Sequence, residues 1–556
     1  MIRSNYYFYI LFILLATSVS CSKGGETAHP PPMPETFKII TATVNGNAAS
    51  PQYGTTLQPG IKVYFNATVD RATIATGLTL SQTAGTSVTM NVAYQNGDSV
   101  VMLQPATSLL ALTKYIVDIK NSLRSKNNTA LLASAAITFI TQIDSSDKFP
   151  IISDSLLLDK VQQQTFKYFW DFGHPVSGMA RERNSSGDLV TTGGTGFGIM
   201  AIVTAVNRNF ITRAQGAERI LMITNFLINS CTRYHGAFAH WINGATGATI
   251  PFSADDNGAD LVETAYLMQG LIAARQYFNT ANATEAALTD KINILWNGVE
   301  WAWFRQGNQN VLYWHWSPDK AWVINATISG WNEALVTYVL AASATTNNIT
   351  KAVYDSGWAR NNAMQNNNTY YTYLLPLGPA LGGPLFFEQY SFLGINPNGL
   401  QDVYANYQTQ TINHTKINYA YCKANPKQWY GYSSLCWGLT ASDIQGGYNA
   451  NAPDNDVGVI APTAAISSLP YTPAESMAAL KFFYYKLGDK MWGDYGFYDA
   501  FSLQNLWFAN STLAIDQGPI IIMIENYRTG LLWNLFTSAP EIKAGMKKLG
   551  FTAPYL

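Results

Sequence analysis

The sequence predicts two domains, a β-sandwich followed by a ring of paired helices, an α/α toroid. Three observations carry this reading. The first is length: 556 residues exceed what one ordinary hydrophobic core organises. The second is a series of short alternating or β-branched segments between residues 37 and 145, such as "IKVYFNATVD" and "KYIVDIKNSL". That is strand periodicity. The third is a change of period near residue 152, after which apolar residues recur at i, i+3/i+4 and i+7.

Ahead of the first strand, Arg3, an apolar run from Tyr6 to Ala16 and small residues up to Cys21 have the layout of a secretory signal. The run is too short to span a bilayer. "SVSC" followed by "SKGGE" resembles a bacterial lipoprotein cleavage site with Cys21 as the acylated residue, although Ser18 stands where such sites usually carry Leu. The expected location is therefore the periplasm or outer membrane, with a lipid anchor at Cys21 as the membrane contact. Residues 22–36 include "GGETAHPPPMPE", a Pro-rich tether of extended, stiff backbone. Within 37–145, Asn96-Gly97 is a strong hairpin signal. Strands recurring every ~10–12 residues predict a β-sandwich. The segment resembles the bacterial Ig-like modules that precede many secreted enzymes, where it would act as a spacer or roof one end of a neighbouring cleft.

The helical region, 152–556, opens with "SLLLDKVQQQTFKYFW". It continues through "TRAQGAERILMITNFLINS", "GADLVETAYLMQGLIAARQYF", "TEAALTDKINILWNGVEWAWF", "GWNEALVTYVLAASA", "PAESMAALKFFYYKLG" and "GPIIIMIENYRTGLLWNLF". Thr472-Pro473 should open one helix and Gly488 close it. Even helix-pair spacing over this length fits the toroid. Terpene cyclases, polysaccharide lyases and glycosidases all use that architecture, so the fold alone names no function.

Charge narrows the field. Charged residues are 12% and the formal net charge is −1, which leaves no basic face for nucleic acid. Beyond Cys21 stand Cys231, Cys422 and Cys436, and the last two could pair or remain buried thiols. There is no CxxC or HExxH and only six His, so neither a transition metal nor a cofactor is expected.

The chemistry concentrates in "DDNGADLVETAY", residues 255–266. A helix there would place Asp256, Asp260 and Glu263 on one face, although Asn257-Gly258 is a natural helix opening that would leave Asp256 in the lead-in. Like charges at that spacing repel by about 0.2–0.5 kcal/mol per pair. The positive end of a helix accommodates one or two such acids comfortably and three less well. Calcium is a further reading of "DDNGAD", which lacks the full EF-hand spacing. The functional reading is a glycosidase cluster, in which crowding raises one carboxyl into the range of a proton donor. Inversion at a sugar needs two carboxyls ~6.5–9.5 Å apart on opposite faces, so the second must come from another helix. Glu333, expected one turn into a helix in "ISGWNEALVTY", is the best candidate. Asp443, Asp454, Asp456, and Asp516 beside Gln517 follow. Glu525 and Arg528 read as an i, i+3 ion pair. Aromatics reach 13% and crowd the same loops: Trp241, Trp314, Trp316, Trp322, Trp429, Tyr432 and Trp437. Their flat faces suit pyranose rings, with about half expected as core filler.

Seven blocks in order, "TTGGTGFGIMAIVTAV", "GADLVETAYLMQGLIAARQYF", "GWNEALVTYVLAAS", "GPLFFEQYSFLGINP", "YGYSSLCWGLTASD", "IAPTAAISSLPYTP" and "AIDQGPIIIMIENYRTGLLW", resemble the bacterial glucoamylase-like family, glycoside hydrolase family 144. Its characterised members act on β-1,2-glucan. The resemblance implies an (α/α)6 toroid and hydrolysis with inversion, by endo-acting glucanases or an exo-acting type that frees sophorose from the non-reducing end. It places acidic cleft residues at Asp260, Glu263 and Glu333. We expect Glu263, crowded by Asp260, as the acid, with Glu333 or Asp516 as the base or water-positioning group. Asp256, Trp241, Trp314, Trp316, Trp331, Asn332, Tyr432, Trp437, Asp443 and Gln517 are the expected sugar contacts. Exo release of sophorose is the expected mode and endo cleavage the alternative. A non-catalytic glycan-binding lipoprotein would keep the aromatics without needing the acids. A lyase would have to admit an acidic uronate to an acid-rich cleft, which like charges oppose.

Overall fold

The computed structural model describes residues 36–279 and 282–556. The signal segment, Cys21 and nearly all of the tether lie outside them. The chain forms two compact units, the larger holding everything from Thr138 to Leu556.

The N-terminal β-sandwich has strands from Ile39 to Thr141. One sheet runs β1 (Ile39–Val44), β3 (Ile61–Phe65), β7 (Val100–Pro105), β6 (Met90–Gln95). The other runs β2 (Gln52–Thr55), β9 (Ala135–Thr141), β8 (Lys114–Ile119), β4 (Leu78–Gln82), β5 (Ser87–Val88). Alternation sets the faces: in β3, Ile61, Val63 and Phe65 are buried while Lys62 and Tyr64 are partly exposed. Asn96 and Gly97 both take positive φ, 49° and 61°, and turn β6 into β7, as their pairing requires.

The helical body is a ring of six inner segments. Helix α2 (Thr192–Asn207) packs on α4 (Leu261–Tyr277), and α4 on α6 (Leu335–Ser343). The ring continues through the short turns Leu385–Leu393, then α8 (Pro462–Ile466), then α10 (Ala514–Thr529), which returns to α2. Val336 N donates to Ser391 Oγ at 2.9 Å, and Gln389 Nε2 to the Ala464 carbonyl at 3.1 Å, joining the short segments to their neighbours. Outer helices back this ring: α1 (Asp154–Trp170), α3 (Arg213–Asn229), α5 (Ala283–Asn297), α7 (Tyr407–Ala424), α9 (Pro473–Lys481), α11 (Leu531–Ser538) and α12 (Pro540–Leu549). Six inner segments with outer partners make the (α/α)6 toroid.

Inner helices have no solvent face. Every residue of α2 from Thr192 to Val206 and of α4 from Leu261 to Ala274 is buried. Their crossing is backbone on backbone. A Cβ on Gly196 would lie 2.2 Å from the Tyr266 carbonyl oxygen, and one on Gly270 2.2 Å from that of Gly196.

Several local expectations change. Helix α9 does start at Pro473, but it ends at Lys481 and widens into a π turn over Phe482–Lys486 before Gly488. The last long apolar run is two helices, because Gly530 at φ 69° ends α10 and begins α11. Glu525 and Arg528 do not pair. Glu525 is fully buried and accepts from Arg208 Nε at 2.6 Å, while Arg528 turns to Asp159. Cys231, Cys422 and Cys436 are all buried free thiols.

Candidate active site

The site is built on the entry to α4. Asp260 is its N-cap, and Oδ1 accepts the backbone N–H groups of Val262 at 3.0 Å and Glu263 at 2.9 Å. Only Glu263 of the three acids lies inside the helix, and Asp256 sits in the loop before it. Asp256 thus falls in the lead-in that Asn257-Gly258 opens and Asp260 caps the helix from outside, so the acids do not form one helical stripe, yet the three still converge. Two histidines come between them. Ala259-Asp260 pairs antiparallel with His315-Trp316, which sets His315 Nε2 at 3.6 Å from Asp256 Oδ2 and 3.7 Å from Asp260 Oδ2. His240 Nδ1 lies 3.1 Å from Asp260 Oδ2.

Glu263 points back at α2. Its Oε2 accepts the Gly193 N–H at 2.7 Å and the Thr191 hydroxyl at 3.3 Å. A Cβ at Gly193 would lie 2.6 Å from that oxygen, so a larger residue here would displace the Glu263 carboxyl.

Electrostatics differentiates the acids. Burial pushes Asp260 up, but the His240 hydrogen bond, the His315 and His240 charges and the Glu263 N–H outweigh it and hold the carboxyl below its usual range. Burial and the Asp260 charge raise Glu263 against the opposing pull of His240, Gly193 and Thr191. Asp256 is raised by burial and by Asp260. Burial alone would lower His240, yet Glu263, Asp260 and Asp256 bring it to about 9. His240, Asp256 and Asp260 offer ligand atoms within 4.8 Å of one another, a set able to hold a cation. At neutral pH the imidazolium already supplies the positive charge there.

Glu333 faces the same cavity from the next inner segment. It lies in the turn before α6 rather than one turn into the helix, and Asn332 Oδ1 caps that turn by accepting Ala334 N at 2.9 Å. The Glu333 carbonyl is held by Tyr266 and Ser391 hydroxyls. Among the described residues its carboxyl meets only its own backbone N–H, and burial, with Asp260 and Glu263 nearby, brings it up to about 7.

These groups border a cavity of about 390 Å³, whose aromatic walls include Phe252, Tyr266, Trp314, Phe386, Tyr390 and Tyr448. Of the expected sugar contacts, Asp256 and Trp314 line it. Trp241 lies behind the rim against Phe252, ring centroids 4.6 Å apart. Trp316 turns to Trp303 and His235. Asn332 caps backbone. Trp331 is core, its Nε1 bonded to Glu388. Tyr432 is buried on Asp456 at 2.8 Å. Trp437 is fully buried with Nε1 on the Glu475 carbonyl at 3.3 Å. Gln517 is buried and donates to the Phe497 carbonyl at 2.7 Å. The last four share one cause: an aromatic or amide with a polar handle serves the interior as well as a sugar.

Asp516 is buried behind Ile515, whose side of the cavity also carries Tyr448. It hydrogen-bonds through its side chain to Asp499, which accepts the Asp443 N–H at 2.6 Å. Asp443 itself pairs with Arg183 at 3.2 Å in an adjoining depression. Burial and Asp499 push Asp516 well above the carboxylate range, and burial brings Asp499 to about 6. Sequence reasoning missed His240, His315, Tyr266, Tyr390, Tyr448 and Asp499. For the histidines a signal existed, since both adjoin the quoted tryptophans in "HWING" and "YWHWSP" and only six occur in the chain.

A ring of helices with acids gathered in an aromatic-walled cavity is the build of the toroidal glycoside hydrolases, and comparison with known proteins places the chain in that class. The family model described as "Putative glucoamylase" matches residues 325–540, and "Bacterial Ig-like domain" matches 40–141. A crystallised protein from Bacteroides uniformis, described as a putative glucoamylase, is 54% identical with a TM-score of 0.72, covering 73% of this chain and 100% of that one. An endo-β-1,2-glucanase from Chitinophaga pinensis, solved with sophorotriose and glucose, is 48% identical with a TM-score of 0.72 over 73% and 100% of the two chains. An exo β-1,2-glucooligosaccharide sophorohydrolase (non-reducing end) from Parabacteroides distasonis is 45% identical over 431 residues, 74% of this chain. The match spans 60% of that relative's length. The chain belongs to the bacterial glucoamylase-like family, glycoside hydrolase family 144.

Proposed function

We propose that the protein is an inverting glycosidase that cleaves β-1,2-glucan or β-1,2-glucooligosaccharides and releases sophorose from the non-reducing end. The observation that carries the chemistry is Glu333. Its carboxyl opens on the cavity, takes no hydrogen bond from another residue among those described, and titrates near neutrality. A donor of that kind protonates the glycosidic oxygen as the C1–O bond breaks. Glu263 fits the second role. Fixed by Gly193 and Thr191 and set beside the His240 charge, it can accept a proton from the water that attacks C1 on the other face. The two roles are thus exchanged relative to the expectation from sequence. Asp516 is less suited to be the base, because it is buried behind the cavity wall and burial with the Asp499 charge holds it well above the carboxylate range. Asp260 and His240 act by holding Glu263 and its charge.

The exo mode follows the sophorohydrolase relative, and the endo-acting relative of similar identity supports the second reading. We further infer export and a lipid anchor from the segment Arg3–Cys21. Incubation with β-1,2-glucan, starch and β-1,3-glucan, with products sized by chromatography, separates the readings. Sophorose alone from the first indicates exo action and a ladder indicates endo action. Attack on starch only overturns the substrate.

A further inference from the structure

A second buried network lies behind the cavity wall and reaches the proposed donor. Glu388 belongs to the inner segment Leu385–Leu393, whose Phe386 and Tyr390 line the cavity. Its side chain is fully buried, and one oxygen, Oε1, takes three hydrogen bonds: Trp331 Nε1 at 2.9 Å, His414 Nδ1 at 2.8 Å and Gln410 Nε2 at 2.8 Å. The other oxygen has no partner among the described residues. An orphaned buried acceptor costs about 1–3 kcal/mol, and more when charged.

The charge is matched locally. With Trp331 and Gln410 both donating to Oε1, the His414 bond to that atom must be a donation from Nδ1. His414 Nε2 faces the Gly383 carbonyl at 3.0 Å, a second acceptor. An imidazole bonded to two acceptors carries both protons, so Glu388 and His414 form a buried ion pair. Gly382, at φ 100°, makes room for the ring, since a Cβ there would lie 2.1 Å from His414 Cδ2. Apolar residues of similar volume usually stabilise a core as well as a buried ion pair does. Packing alone gives no reason for this one.

Its connections give a reason. Trp331 is two residues from Glu333. Three residues beyond Glu388, Ser391 Oγ donates to the Glu333 carbonyl and accepts Val336 N at 2.9 Å. One segment thus grips the Trp331–Val336 turn on both sides of Glu333 and leaves the carboxyl itself free toward the cavity. We infer that Glu388 is a positioning residue: through Trp331, with His414 as its counter-charge, it fixes the point from which Glu333 delivers its proton. This rests on the reading of Glu333 as donor. Misplacing a reacting group by about 1 Å can cost on the order of 100-fold.

The decisive variant is Trp331→Phe, which keeps a ring in the core and removes the Nε1 donor together with part of the indole's volume, a loss that by itself would not move a carboxyl midpoint; Glu388→Gln, which keeps the volume, is the companion. In protein carrying ¹³C-carboxyl glutamate, the Glu333 resonance is identified by its loss in Glu333→Gln, and its titration midpoint is read without any substrate. Both variants should move that midpoint, lower kcat about ten- to a hundredfold and leave KM within about twofold. The double variant should be no slower than Glu388→Gln alone, since the two changes break one link. A wild-type midpoint in Trp331→Phe overturns the inference, as does a wild-type kcat. Should Glu388→Gln not fold, Trp331→Phe decides alone. If the wild-type enzyme leaves β-1,2-glucan intact, the proposed substrate fails, and the midpoint still decides the role of Glu388.

Discussion

Replacing Glu333 with Gln should slow the enzyme and stabilise the fold, and the second effect should grow as pH rises above about 4.5. The side chain keeps its shape and loses its proton chemistry, and positioned proton transfer is worth about 10²–10⁴-fold. At about 1.4 kcal/mol per tenfold, that is roughly 3–5 kcal/mol of barrier. The stability effect follows from the same carboxyl. Its midpoint in the folded chain is about 7, above the unfolded value of about 4.3. A raised carboxyl contributes stability that is fully present below the unfolded value and is lost as pH rises through the folded one. At about 1.36 kcal/mol per pKa unit, ionised Glu333 disfavours the fold at pH 8 by at most about 3.6 kcal/mol, less where the cavity admits water. Glutamine carries no such burden. Denaturant unfolding of both proteins at pH 4.5, 6 and 8 should give near-equal stabilities at the first and a growing advantage for Glu333→Gln at the others. The wild-type kcat/KM should fall as pH passes through about 7, because the donor must be protonated. Equal stabilities at pH 8 would mean that Glu333 is solvated like a surface acid, and the proton-donor argument would go with it.

Three other perturbations read separate parts of the structure. Asp260→Asn keeps an acceptor for the α4 cap but removes a charge beside His240, so an imidazole NMR titration should place His240 below its wild-type midpoint of about 9; no change would show that Asp260 does not hold it. Gly196→Ala drives a methyl against the Tyr266 carbonyl at 2.2 Å, where backbone cannot retreat, and should lower unfolding stability by about 1–3 kcal/mol or more. Cys21→Ala should abolish incorporation of labelled palmitate and move the protein from membrane to soluble fractions after lysis, whereas unchanged labelling would place any acyl group elsewhere.

The change of period was legible because outer helices such as α1 and α3 show one apolar face. Helix α2 was not read as a helix. It is buried all round and carries four glycines near its start, so it has neither an amphipathic stripe nor good helix formers. Helix α7 escaped for the opposite reason, its buried side including Gln410, Thr411, His414, Thr415 and Asn418. Motif identity located Glu263 and Glu333, but periodicity misplaced their neighbours. It could not foresee that Ala259-Asp260 would pair as strand with His315-Trp316, so that the helix begins only at Leu261. Among the tryptophans, Trp314 and Trp331 look alike in sequence. Only the partner of the indole N–H, absent from the local sequence, separates a cavity wall from a core brace.

That pairing also answers why a chain with 12% charged residues crowds acids at one helix start. Asp260 and Glu333 share a cavity and a low-dielectric setting, yet one carboxyl is held down and the other pushed up. Burial acts upward on both. What differs is compensation: Asp260 has two histidines and two backbone N–H groups, and Glu333 has, among the described residues, only its own N–H. The histidines come from the loop before β-paired Trp241 and from the strand beside Asp260, so the β-pairs at the mouth of the ring, and not the helices, decide which acid keeps its proton. A histidine brought within about 4 Å of Glu333 would undo the difference by favouring the ionised form, and the fold provides none on that side among the described residues.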